Sequence, residues 1–205
     1  MIRKLLFLCA LALLLAPAAT AQQRGSVSAI LGYQWGGGLQ TTDGKFEIEP
    51  SLNYGAEINI LVRRDAEVVL LYNRQDSEVK LTNRAGLPDT VFGNAAVNYI
   101  HIGGLAMRHV TRVTKPFFSG TLGLTWFDPK QNGVSSEWRL SGSLSGGLKV
   151  MPSARVGLRA QVRWWFTFLS SGSGWWCSLP GGCAVTATGT LISQGEASGG
   201  LVIAF

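Results

Sequence analysis

From position 156 to 168 the chain reads VGLRAQVRWWFTF, and its side chains separate by parity. Val156, Leu158, Ala160, Val162, Trp164, Phe166 and Phe168 are all apolar, while Gly157, Arg159, Gln161, Arg163 and Thr167 alternate with them, joined by Trp165. A helix would scatter the apolar set around its whole axis. A strand puts each set on its own face, because side chains alternate with a period of two. The segment is therefore expected to be a long strand, with Arg155, Arg159 and Arg163 on its polar side.

The same separation recurs along the chain. Apolar or small sets fall at alternate positions in 27–35, 52–62, 118–126, 138–150 and 197–205, and none of those sets carries a charge. Two further segments are less clean. In 67–75, Val68, Leu70 and Tyr72 share one face, but Val69 and Leu71 lie on the other; 94–108 is apolar on both faces, so its orientation stays open. Eight strands are expected. Their connections, near 37–49, 63–66, 76–93, 110–115, 128–136, 151–154 and 169–191, alternate long and short. Antiparallel strands would then carry four long loops at one end and three tight turns at the other, with Arg63-Arg64-Asp65 and Pro152-Ser153 marking two of the turns.

The first 21 residues read as a removable leader. Arg3 and Lys4 precede an apolar run from Leu5 to Leu15, and Ala19-Thr20-Ala21 is an A-x-A cleavage site. Eleven apolar residues fall short of the ~20 that a membrane-spanning helix needs. Cys9 lies inside this run with too little of it ahead to mark a lipoprotein. The expected division is a signal peptide over 1–21 and one domain over 22–205. Taking Arg3 and Lys4 from 18 basic residues leaves 16 against 12 acidic ones, a net charge of +4. No basic cluster interleaved with aromatics accompanies that excess, so no nucleic-acid partner is expected. Cys177 and Cys183 lie together in a stretch rich in Gly, Ser and Pro, and in an exported chain such a pair suggests a disulfide. A metal site is the rival, and it lacks further Cys or His nearby.

Eight alternating strands close into a barrel in two ways. A secreted soluble barrel keeps its apolar face inside around a ligand. A transmembrane barrel turns that face to lipid and keeps a polar interior. Four features favour the second. The polar set mixes small residues with charges of both signs, Glu57 and Glu196 against Arg139, Lys149, Arg155, Arg159 and Arg163, as an internal ion-pair network requires. Aromatic residues sit at the strand ends: Trp35, Trp126, Trp164, Phe166 and Phe168 toward the long loops, and Phe118 and Phe205 toward the other end. Strands of ten or more residues suit a tilted crossing. Closure leaves no unpaired backbone edge in lipid. The expected fold is all-β, an eight-stranded antiparallel up-and-down transmembrane barrel.

Several stretches resemble known proteins. GLVIAF, with Leu201, Ile203 and Phe205 on one face, resembles the C-terminal signal that bacterial outer-membrane proteins present to their barrel-assembly machinery. FFSGTLGLTWFDP (117–129) and LSGSLSGGLKVMPSARVGLRAQVRWW (140–165) resemble strands of the small outer-membrane β-barrel domain family, which includes the outer membrane protein A transmembrane domain and the opacity proteins. The last long loop looks like that of a subgroup with two cysteines there. The resemblance covers essentially the whole chain after the leader. It implies periplasmic termini, four surface loops, a bilayer containing lipopolysaccharide, and periplasmic chaperones with the assembly machinery as partners during biogenesis. A monomer without cofactor is expected.

Function is less legible. Small barrels that resemble lipid A deacylases or palmitoyl transferases need a His with a Ser and a carboxylate. Here His101 precedes Ile102-Gly103 and His109 precedes Val110-Thr111, so the H-x-S arrangement is absent and no catalytic residue is assigned. A narrow channel is the main alternative, although eight strands leave an interior that side chains fill. Surface binding by loops on a rigid scaffold is the leading expectation. In that reading Trp175 and Trp176, on the uncharged last loop, are candidates for contact; the competing reading is that they extend the aromatic girdle.

Overall fold

The computed structural model describes residues 25–40, 44–83, 90–111, 113–130, 136–169, 174–178, 182–186 and 191–205. The leader expected over 1–21 lies outside them. Eight strands build the barrel: β1 (Gly25–Gly36), β4 (Ser51–Arg63), β5 (Ala66–Asn83), β6 (Thr90–Met107), β7 (Thr114–Pro129), β8 (Glu137–Val150), β9 (Val156–Phe168) and β12 (Leu191–Ala204). Each pairs antiparallel with its neighbour in sequence, and β1 pairs with both β4 and β12, which closes the cylinder. At the seam Ser26 faces Ala204 and Gly36 faces Gln194, while Gly25 and Phe205 exchange backbone hydrogen bonds of 3.1 and 2.9 Å. Chain ends and short turns therefore share one end.

The long connections contain more strand than their turn-rich composition suggests. β2 (Gly38–Gln40) and β3 (Gly44–Ile48) form a hairpin that adds to the outer part of β5. β5 and β6 continue past the barrel proper and stay paired to Leu81 and Thr90, with a register shift at Val79/Lys80. Most of the segment expected as a loop over 76–93 is thus a projecting ribbon. A separate hairpin of β10 (Gly174–Ser178) and β11 (Gly182–Thr186) lies within the last long connection.

Which way the faces point is settled by exposure. Leu122, Leu158, Val162 and Leu52 are each more than 60% exposed, while Glu57, Glu196, Gln34 and Asn53 are fully buried. This is the reverse of a soluble barrel. Such an exterior belongs in hydrocarbon, and closure satisfies the backbone groups there. The two ambiguous strands now have orientations. Val68, Leu70 and Tyr72 of β5 face outward and Val69 and Leu71 inward; on β6, Ile100 and Ile102 face outward and Tyr99, His101, Leu105 and Met107 inward.

Close strand approach explains one of the glycines. A Cβ on Gly123 of β7 would run into the Ile100 carbonyl oxygen and the His101 backbone, whereas one on Gly104 would meet nothing within 4 Å. The bare position lets β6 and β7 coil tightly around the inward His101.

Candidate functional site: the ion-paired interior and its two rims

Polar and charged side chains occur inside the barrel from one end to the other, interleaved with aromatic and apolar ones. Toward the short turns, Lys149 of β8 donates to Glu67 of β5 at 2.6 Å, and its ammonium lies 5.9 Å from the Phe117 ring centre. Next, Glu57 of β4 accepts from both Arg159 and Arg163 of β9, the latter at 3.1 Å. β4 and β9 are separated by β1 and β12 in the sheet, so these pairs cross the barrel. Gln161 accepts from Arg159 at 2.7 Å and donates to Ser198 at 3.0 Å. Arg159 also lies 4.6 Å over Phe117.

An aromatic layer follows. Trp165 stacks on Tyr99 with centres 4.0 Å apart, and His101 meets both rings edge-on. Glu196 accepts from Trp165 Nε1 at 2.8 Å, Asn73 at 2.9 Å and Ser198 at 2.6 Å. His101 lies between Thr121 at 3.0 Å and Ser141 at 2.8 Å, so both its ring nitrogens face hydroxyls. Above this layer Tyr99 donates to Gln194 at 2.5 Å, and Gln194 donates to Gln75 at 3.0 Å.

Of the interior charges expected from sequence, Glu57, Lys149, Arg159, Arg163 and Glu196 are buried inside. Two are placed differently. Arg155 is exposed in the turn before β9, because the alternation runs one residue beyond the strand itself. Arg139 is inward by parity but half-buried at the long-loop mouth, where it meets Glu137 at 2.5 Å. Glu67, Tyr99, His101 and Trp165 were not expected in the network. Glu67 shares parity with the inward Asn73 and Gln75, which was the available signal.

Charges among the described residues sort into three tiers. Inside, Glu57, Glu67 and Glu196 face Arg159, Arg163 and Lys149, three against three. At the short-turn end are Arg63, Arg64, Arg108, Lys115 and Arg155, with Asp65. At the long-loop end are Lys45, Arg74, Lys80, Lys130 and Arg139, against Glu47, Glu49, Asp76, Glu78, Asp128 and Glu137. There Asp76 accepts from Arg74 at 2.9 Å and pairs with Lys130 at 3.1 Å; the Arg74 hydrogen bonds above all hold its carboxyl below the ordinary range.

Outward aromatics form a belt on the long-loop side: Tyr33, Trp35, Tyr54, Tyr72, Trp126, Trp138, Trp164 and Phe168. Trp126 and Trp138 stack at 5.4 Å, and Trp164 donates to Ser193 at 2.7 Å. Phe118 and Phe205 are exposed toward the other end, and Leu201, Ile203 and Phe205 face outward beside the seam. On β7 the eight residue steps from Phe118 to Trp126 span about 20 Å of membrane depth at ordinary strand rise and tilt. The β10–β11 backbone places Cys177 opposite Cys183. The contact expectation on Trp175 and Trp176 lies outside the described side chains.

No protein-family model matches the chain, and no curated protein matches it in sequence. Solved structures do. Neisserial surface protein A superposes with a TM-score of 0.60 at 14% identity, covering 88% of this chain and 97% of its own. The outer membrane protein AlkL, solved in lipid bilayers, gives 0.57 at 12% identity over 93% and 95%. OprG, an outer membrane protein of Pseudomonas aeruginosa, gives 0.52 at 13% identity over 90% and 98%. With its apolar exterior, its closed order of eight strands and these neighbours, the chain has the fold of the small eight-stranded outer-membrane β-barrels.

Proposed function

We propose that the protein is a non-enzymatic scaffold of the bacterial outer membrane, exported by its leader, with termini and short turns in the periplasm and four long loops outside. The observation that carries this reading is the filled, charge-balanced interior. Three carboxylates and three cations pair or hydrogen-bond within it, and Phe117, Tyr99 and Trp165 occupy the space between them. A lumen packed this way disfavours a standing aqueous path, leaving the long-loop end as the place where recognition occurs. The β5–β6 ribbon supports a role in surface binding, since it extends the sheet beyond the aromatic belt with the β2–β3 hairpin beside it.

In the last loop we propose that the facing Cys177 and Cys183 are joined as a disulfide, fixing the hairpin that carries Trp175 and Trp176. Alkylation of the denatured protein would add two labels only after reduction. Labelling without reduction would show free thiols.

Epitopes inserted at positions 133 and 153 test the orientation. On intact cells an antibody should reach the first and not the second, and the opposite pattern would reverse it. The binding role predicts that removing residues 171–189 lowers retention of displaying cells on an epithelial monolayer while the barrel keeps its heat-dependent gel shift. Unchanged retention would move binding away from that loop.

A further inference from the structure

We propose that the short-turn rim of the barrel binds anionic phospholipid headgroups of the leaflet that faces it. The inference rests on the transmembrane reading above. Among the described residues, the interior is neutral and the long-loop end carries one more carboxylate than cations. Among side chains, the short-turn end holds Arg63, Arg64, Arg108, Lys115 and Arg155 against Asp65, with the Phe205 carboxylate at the same end. The positive excess is therefore concentrated on one rim.

The rim lies at headgroup level. Arg63 directly follows Val62 and Arg155 directly precedes Val156, both of those neighbours being exposed apolar residues on the lipid-facing wall. An arginine whose Cα sits within a residue or two of the apolar wall reaches the phosphates by extending its side chain. Two of the turns are tied together: His109 Nε2 lies 2.9 Å from the Arg64 carbonyl oxygen, and the Met107 amide donates to the Asp65 carbonyl at 2.8 Å. That holds Arg108 near the Arg63-Arg64 pair. Three of the rim cations, Arg63, Arg64 and Lys115, border an open cavity of about 930 Å³ at the barrel mouth, which His109, Lys149 and Glu67 also line. Its carboxylate, Glu67, is already engaged by Lys149 at 2.6 Å, so the charged groups left on the lining, Arg63, Arg64 and Lys115, are all cations. Phosphodiesters match guanidinium donors in charge and geometry.

The test uses the folded mature chain in a nonionic detergent, titrated separately with dioleoylphosphatidylglycerol and dioleoylphosphatidylcholine and read by native mass spectrometry. The first phosphatidylglycerol should bind about five-fold or more tighter, the factor one basic residue contributes at an anionic surface. The Arg63→Gln/Arg64→Gln/Arg108→Gln variant should lose that preference, and Lys45→Gln/Lys80→Gln/Lys130→Gln should keep it. Equal affinities for the two lipids, or loss only in the long-loop variant, would overturn the proposal. So would loss of the preference in inorganic phosphate at fixed ionic strength, which would assign the rim to soluble anions. A heat-dependent gel shift on every sample separates these outcomes from failure of the barrel itself, which would remove the shift.

Discussion

Replacing Glu57 with Gln should destabilise the barrel more than any single loss on its outer wall. Glu57 is the shared acceptor of Arg159 and Arg163, and all three side chains are fully buried. Without its charge, two guanidiniums stay inside and the interior holds three cations against two carboxylates. Breaking a buried pair from one side costs about 3–5 kcal/mol, because the remaining charge stays desolvated. At a urea slope of about 2 kcal/mol per molar, the midpoint should fall by roughly 2 M. The assay is unfolding from lipid vesicles, followed by tryptophan fluorescence and the gel shift. A second variant isolates the cause. Glu57→Gln/Arg159→Gln returns the interior to two cations against two carboxylates, with Arg163 still opposite Glu196 across the β9–β12 register. It should be less destabilised than the sum of its parts, with a coupling of about 1–3 kcal/mol. A Glu57→Gln barrel within 1 kcal/mol of wild type, or a purely additive double variant, would refute the network as a source of stability.

The exterior gives two further tests. Leu122 lies midway between Phe118 and Trp126 and faces outward, so Leu122→Arg should cost about 2–4 kcal/mol in bilayers, while Val62→Arg at the short-turn rim should cost about 0–1. Equal costs at the two depths would contradict the placement of the hydrocarbon. Gly123→Ala should slow or block folding, since its Cβ meets the β6 backbone, at a cost of about 1–3 kcal/mol, whereas Gly104→Ala should fold as wild type. Refolding yields on the heat-shift gel decide between them.

The fold was legible because alternation reports a face directly. Where Leu158 and Val162 face lipid and Arg159 and Gln161 face inward, parity alone separates them. It failed where the interior itself is apolar. Val97, Leu105 and Met107 of β6 pack inside the barrel, so both faces of that strand look the same in sequence. Residue types that could form the network were visible, but their partners were not. Glu57 meets Arg159 across two intervening strands, and which residues meet across a barrel depends on the shear that closes it, which no single strand's period contains. Arg155 shows a related limit, since alternation continues into a turn without marking where the strand begins. The long connections have turn-rich composition, which does not reveal the strand pairing of the β5–β6 ribbon.

Conductance of the folded protein in a planar bilayer tests most directly whether the interior is a packed core. Wild type should give no steps above background under conditions where the heat-shift gel shows folded barrel. Discrete steps whose size changes in Glu57→Gln or Arg159→Gln would place a conducting path through the network and contradict the scaffold reading.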